Sequence, residues 1–270
     1  MAPSEKRAAT PAKAKGPLTD KARIGRILAG LQTHYGGMST ALHYRNPFEL
    51  LIAVMLSAQT TDVYVNKVTP RLFERYPTPQ DMALADVEDI ERLIAGVSFF
   101  HTKAKNLILT SGILVTQYGC EVPSDWNALV AMPGVGRKTA NVVVATAFGQ
   151  PAIAVDTHVL RVSNRLGLAA AKTPEETEKQ LQKAIPRELW AEAHHWLIWH
   201  GRKICKAPTP RCELCFLTAD CRYYQTVKPA VPAAAKAKNA TTPVTSRKST
   251  AKPPAAVRRT AKANPPPPEA

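Results

Sequence analysis

Met132-Pro133-Gly134-Val135-Gly136-Arg137-Lys138-Thr139-Ala140 decides how this chain reads. Two glycines around one apolar residue stand between two helical patterns, 125–131 and 137–148, and the stretch forms a helix–hairpin–helix. Glycine tolerates positive φ and carries no side chain, so backbone N–H groups at the start of the second helix are open to a phosphate. A phosphate gripped by amides fixes a backbone without reading its bases. A bare Gly-x-Gly would describe any tight turn between packed helices. The basic pair Arg137–Lys138 and the residues downstream give this one a chemical use.

Outward from the hairpin, the chain is a succession of helices with clear punctuation. Thr19 stands as a cap before the apolar stripe Ile24, Ile27, Leu28, Leu31, which Gly36–Gly37 closes. Asn46-Pro47-Phe48-Glu49 joins an Asn cap, a first-turn Pro and an early Glu ahead of the apolar run Leu50 to Leu56. The same grammar recurs at Thr173-Pro174-Glu175-Glu176 and more faintly at Thr78-Pro79. Further helices fit 62–75, 86–95, 102–118, 156–166 and 187–200, several ending at glycine, the last at Gly201. Val142 to Val144 are β-formers, yet their segment runs unbroken from Arg137 to Phe148, too long for a strand. The predicted class is all-α.

Charge is unevenly spread. The chain carries 36 Lys and Arg against 21 Asp and Glu, a net +15 that favours an anionic partner. Residues 1–17 hold +3 and residues 225–270 hold +8, leaving +4 for 18–224. Both ends are rich in Ala, Pro, Lys and Thr, nearly without aromatics, and are predicted to be disordered basic arms. No apolar run is long enough to span a bilayer and no secretory signal is visible, so the reading is an intracellular protein associated with nucleic acid, not membrane. Cysteines clustered in such a compartment ligate metal rather than pair as disulfides. Cys205-x6-Cys212-x2-Cys215-x5-Cys221 places four thiols within seventeen residues, with Cys120 apart. Four thiolates enclose one [4Fe–4S] cluster. Structural zinc is the rival, but it favours paired ligands two to four residues apart, and only Cys212–Cys215 conforms. Lys206 and Arg211, in the loop between the first two cysteines, suit phosphate contact.

Lys138 sits in the first turn of its helix, where the positive end of the helix dipole disfavours an ammonium. A neutral amine is what covalent catalysis requires. Eighteen residues on, Val155-Asp156-Thr157-His158 sets an acid at the start of the next helix, where its simplest role is the N-cap. Both roles are compatible.

Taken together, the hairpin, Lys138, Val155-Asp156-Thr157-His158, Leu56-Ser57-Ala58-Gln59-Thr60-Thr61-Asp62 and the cysteine cluster resemble the endonuclease III family over roughly residues 20–224. The resemblance implies a helical barrel at about 40–150 and a cluster-bearing domain from 18–39 plus 151–224, with double-stranded DNA across the cleft between them. It implies a monomeric DNA glycosylase and abasic-site lyase acting on damaged bases, oxidised pyrimidines by expectation. Lys138 would attack C1′ and form a Schiff base, Asp156 would assist, and β-elimination would nick the strand. The target nucleotide must leave the stack first. Gln59 would fill the vacated space, and Gly134, Val135, Gly136, Arg137 and His158 would contact DNA. Adenine mismatch glycosylases share the hairpin and cluster but lack the lysine, and Thr60-Thr61-Asp62 offers no glutamate of their kind. A non-catalytic DNA clamp is the alternative from a different class. Two positions depart from the family pattern: Met132 stands where Leu is usual, and Phe99-Phe100 where Leu-Tyr is. Position matching makes Phe99 the apolar wedge and leaves Phe100 to the core.

Overall fold

Nine consecutive residues, Phe48 to Leu56, are buried. A helix apolar on every side must lie inside a layer of others, and α2 (Pro47–Ser57) does: it packs on α3 (Asp62–Arg75), α6 (Phe100–Gln117) and α8 (Arg137–Phe148). Four residues set its start. Asn46 accepts from the Glu49 amide at 2.9 Å, and Pro47 occupies a position whose N–H would go unpaired. The buried Glu49 carboxylate accepts from the Arg45 amide at 2.7 Å and from Arg45 Nε at 2.8 Å, so its burial leaves no bare charge. With α4 (Pro79–Ala83), α5 (Val87–Leu93) and α7 (Trp126–Val130), these helices enclose a first hydrophobic core running from Leu42 to Ala154.

A second core draws on both ends of the described chain. It takes Ile24, Ile27 and Leu31 from α1 (Lys21–Tyr35), Val159, Val162 and Leu166 from α9 (Thr157–Leu166), and Leu181 from α10 (Pro174–Ala184). Trp196 and Leu197 of α11 (Trp190–Lys203) complete it with Leu217. The last helix, α12 (Arg222–Val227), packs on α9. The computed structural model describes residues 20–227, so the arm 1–17 and nearly all of 225–270 lie outside the described residues. Among the described residues every regular element is helical.

The chain crosses between the cores at 150–156, where no helix forms. Ala152 and Ala154 pack in the first core, Ile153 and Val155 in the second. That alternation is the signature of extended backbone, whose successive side chains point opposite ways. The segment is pinned to α8 by Asn141, whose Nδ2 donates to the Ile153 carbonyl at 2.8 Å while its Oδ1 accepts from Trp126 Nε1 at 2.6 Å. The seam is thereby fixed one residue pair short of Asp156.

Among the helix ends, two depart from the sequence reading and a third bears it out more fully than expected. The cap of α1 is Asp20, which accepts from the Ala22 and Arg23 amides; Thr19 lies outside the described residues. Gly201 does not end α11, which continues to Lys203. A Cβ there would lie 3.0 Å from His158 Nδ1, so this glycine is needed for the close approach of α9 rather than for a helix stop. The faint signal at Thr78 is a full capping box, closed reciprocally by Asp81.

Candidate active site

The hairpin is hung from the first core. Met132 and Val135 are buried, and Thr110 Oγ1 of α6 donates to the Pro133 carbonyl at 2.8 Å. Gly134 has φ +76°, and a Cβ on it would meet Asn106 Nδ2 at 2.7 Å, so the position demands glycine twice over. Gly136 differs from expectation: its backbone is extended, φ −84° and ψ 171°, and a Cβ would meet nothing within 4 Å. Protein geometry does not require glycine there, and its lack of a side chain serves the outer face. No side chain caps α8, so its first-turn amides are left for an acceptor from outside.

Lys138, the second residue of α8, is exposed and lines a cleft of about 920 Å³ together with Gln59, Asp62, Asp156, His158, Trp199 and Arg202. The hairpin thus delivers the amine and the seam delivers the acid to one opening. Asp156 Oδ1 accepts from the Val159 amide at 2.8 Å, so it is the N-cap of α9. His158, one turn along, faces Arg161 Nη2 at 3.1 Å; burial lowers its pKa, against a raising effect of Asp156.

Arg137 has a partner that the sequence does not announce. Its guanidinium grips Glu178 of α10 with Nε–Oε2 at 2.7 Å and Nη2–Oε1 at 2.8 Å, and lies 5.0 Å from the Trp126 ring centroid. It latches the hairpin to α10. Phe99 is 65% exposed at the N-terminus of α6, while Phe100 packs on the first core. Gln59 is exposed at the end of α2.

The sequence reading missed the cleft floor. Arg202 of α11 pairs with Asp62 of α3 at 2.6 Å, and His194 and His195, their rings 3.9 Å apart, line a recess of about 60 Å³ that also touches Lys138 and Asp156. Burial drives His195 down to about 4 and His194 well below its ordinary range, so both are neutral. Two adjacent histidines inside an apolar helix were the available signal.

The four clustered cysteines line one small pocket with Leu166, His200 and Tyr223. Among the described residues no three His, Cys, Asp or Glu converge as a single ion requires. Burial pushes the Cys215 thiol up to about 11, with Cys221, Cys205 and Cys212 adding to the rise. The loop after Cys205 is strapped down by Arg161, which donates to the Cys205 carbonyl at 3.1 Å, and Arg165, which donates to the Lys206 and Ala207 carbonyls at 2.7 and 2.8 Å. Lys206 and Arg211 remain exposed.

Fold and cleft together define a helix–hairpin–helix repair protein: the model of the HhH-GPD superfamily of base excision DNA repair proteins matches residues 52–187. The chain is 48% identical over 208 residues to Endonuclease III of Escherichia coli (strain K12), covering 77% of this chain and 99% of that one. To Endonuclease III of Rickettsia conorii it is 49% identical over 189 residues, 70% of this chain and 90% of the other. A solved structure of a trapped Endonuclease III–DNA covalent intermediate superposes with a TM-score of 0.73 at 47% identity, covering 77% of this chain and 98% of that chain. The chain belongs to the endonuclease III family. Among the described residues no helix is long and apolar enough to cross a membrane.

Proposed function

We propose that this base excision repair DNA glycosylase and abasic-site lyase works through Lys138 as nucleophile and Asp156 as its acid–base partner. The observation that carries the assignment is their convergence: two residues eighteen apart in sequence, on a helix start and on the seam, line one cleft beside an uncapped hairpin. DNA lies across the cleft with a damaged nucleotide turned out of the stack. The hairpin at Gly134, Val135 and Gly136 holds a phosphate through the amides of its two glycines, the Val135 amide being taken by the Met132 carbonyl, with Arg137 bracing the turn through Glu178. The Lys138 amine attacks C1′; the glycosidic bond breaks and its electron pair leaves with the base. Loss of the amine proton and ring opening give an iminium, whose acidified C2′–H is removed, expelling the 3′ phosphate by β-elimination. Asp156 takes the amine proton: one oxygen is held by the Val159 amide, leaving the other for the cleft. Oxidised pyrimidines are the substrates this reading assigns, the floor of His194 and His195 carrying no fixed charge. Gln59 and Phe99 enter the duplex beside the turned-out nucleotide, an apolar side chain prising open a base step.

Cys205, Cys212, Cys215 and Cys221 would hold a [4Fe–4S] cluster, which supplies a rigid redox-active centre remote from the nucleophile. Its loop presents Lys206 and Arg211 to the DNA backbone. The lobe around the second core is then the cluster-bearing domain and the lobe around the first the barrel.

Borohydride reduction during reaction with abasic-site DNA tests the assignment. A covalent adduct formed by the natural protein and lost in Lys138→Gln is the expected result; an adduct that survives the substitution overturns it, and no adduct in either points to a non-catalytic clamp.

A further inference from the structure

The two residues assigned to the duplex, Gln59 and Phe99, share an unusual backbone. Both are in the left-handed region, at φ 58° and 57°, a conformation that a residue with a Cβ adopts only under strain. Gln59 is the third residue of a turn closed by the Thr60 amide on the Ser57 carbonyl at 3.2 Å, and Phe99 begins α6 without any side-chain cap. Further bonds join the two loops to each other. The Ser98 amide donates to Thr60 Oγ1 at 3.1 Å and Ser98 Oγ to the Gln59 carbonyl at 2.7 Å. Tyr64 Oη donates to the Ala95 carbonyl at 2.8 Å, beside Gly96, where a Cβ would collide with that hydroxyl.

At the centre of these bonds is Lys103. It is 9% exposed, with Nζ 2.7 Å from the Leu56 carbonyl and 2.6 Å from the Ala58 carbonyl. Among the described residues no carboxylate pairs with it, and burial pulls the amine down to about 8. Interring a lysine is costly, and a leucine would fill the space more cheaply. What the ammonium does is satisfy two terminal carbonyls of α2, at the end of the helix where a cation is favoured, from a different helix that carries Phe99.

We propose that Lys103 is a positioning residue that locks the Gln59 loop and the Phe99 loop into one rigid unit, so that the two side chains enter the duplex together. The proposal rests on the reading of Gln59 and Phe99 as the duplex-entering residues. A pre-joined pair avoids ordering two separate loops when DNA binds, a cost that would otherwise weaken the strained, base-unstacked complex.

The test is a double-mutant cycle in single-turnover excision of a damaged base from paired duplex, using Gln59→Ala, Phe99→Ala and the double variant, in natural and Lys103→Met backgrounds. One unit means each single substitution slows excision about tenfold and the second adds under about threefold more, a coupling within the usual range for joined residues. In Lys103→Met the two effects become multiplicative, and the ratio of duplex excision to cleavage of a preformed abasic site in single strands falls about tenfold. Effects that already multiply in the natural background, or a coupling that survives Lys103→Met, overturn the lock. If neither single substitution slows excision, the duplex-entry reading falls and the lock with it, an outcome distinct from multiplicative effects. Should Lys103→Met fail to fold, Ser98→Ala and Thr60→Val, each removing one side-chain bond between the loops, carry the same cycle.

Discussion

Asp156 gives one carboxylate oxygen to the Val159 amide at 2.8 Å and keeps the other for the cleft, so a single side chain serves as helix cap and as acid–base group. Asn accepts the same amide bond but cannot take a proton. Asp156→Asn should therefore slow base release about a hundredfold, as loss of an acid–base partner does, while the melting temperature hardly moves, since Asn caps as well as Asp. A large fall in melting temperature with an unchanged rate would make Asp156 a cap alone. The neighbouring phenylalanines separate in the same way. Phe99→Ala removes an exposed ring and should reduce excision from paired duplex with little loss of stability. Phe100 packs on the first core and is only half-buried, so Phe100→Ala should cost about 2–3 kcal/mol, below the full range for interior phenylalanines. Urea titration of both variants decides the matter, and reversed phenotypes would exchange wedge and core.

Among the helices, the bond that joins α8 to α10 is Arg137–Glu178, two parallel contacts roofed by Trp126. Glu178 is 6% exposed, and Gln182 Nε2 also donates to it, at 3.2 Å. Glu178→Ala should destabilise the protein by about 1–3 kcal/mol, the usual loss for charge-assisted hydrogen bonds, and should weaken DNA binding by loosening the hairpin. Unchanged affinity in a folded variant would show that the hairpin stands without its brace. This latch marks where reading the sequence stops. Asn46-Pro47, Thr173-Pro174 and the glycine after Phe148 are local signals, because caps and left-handed stops depend on a few adjacent residues, and they placed α2, α10 and α8 correctly. The Arg137–Glu178 pair was not legible because the partners lie forty-one residues apart on different helices. Gly201 looked like a helix stop because His158 is distant in sequence. Lys138 and Asp156 were legible only because a resemblance paired them. Nothing in their spacing says that an extended seam with alternating burial brings them to one cleft.

At the scale of the whole molecule, two cores meet along that seam and each contributes a test. Around the second core, purified protein should be yellow-brown with about four irons per chain, the charge-transfer colour of a thiolate-bound cluster; colourless protein with one zinc would refute the assignment. Where the lobes meet, the cleft floor holds neutral histidines, and this makes the junction sensitive to acid. His195 lies against His194 and the Arg202 guanidinium, and His194 is further disfavoured as a cation by Lys138. Asp62 and Asp156 line the same recess, but Asp62 is taken by Arg202, and burial outweighs what the carboxylates offer the rings. Their folded pKa lies below the ordinary 6.5, with His195 near 4. Above about pH 6.5 both the folded and the unfolded chain keep these rings neutral, so the stability they permit is fully present there. As pH falls from 6.5 toward 4, the unfolded chain takes up protons the folded chain refuses, and stability drops by up to about 1.4 kcal/mol per pH unit for each histidine. Unfolding measured in urea from pH 7.5 to 5 should show this decline, and His195→Asn, which removes one titrating ring, should show a shallower one. Parallel slopes for the two proteins would mean that His195 meets solvent in the folded state and that the cleft floor is not the acid-sensitive joint.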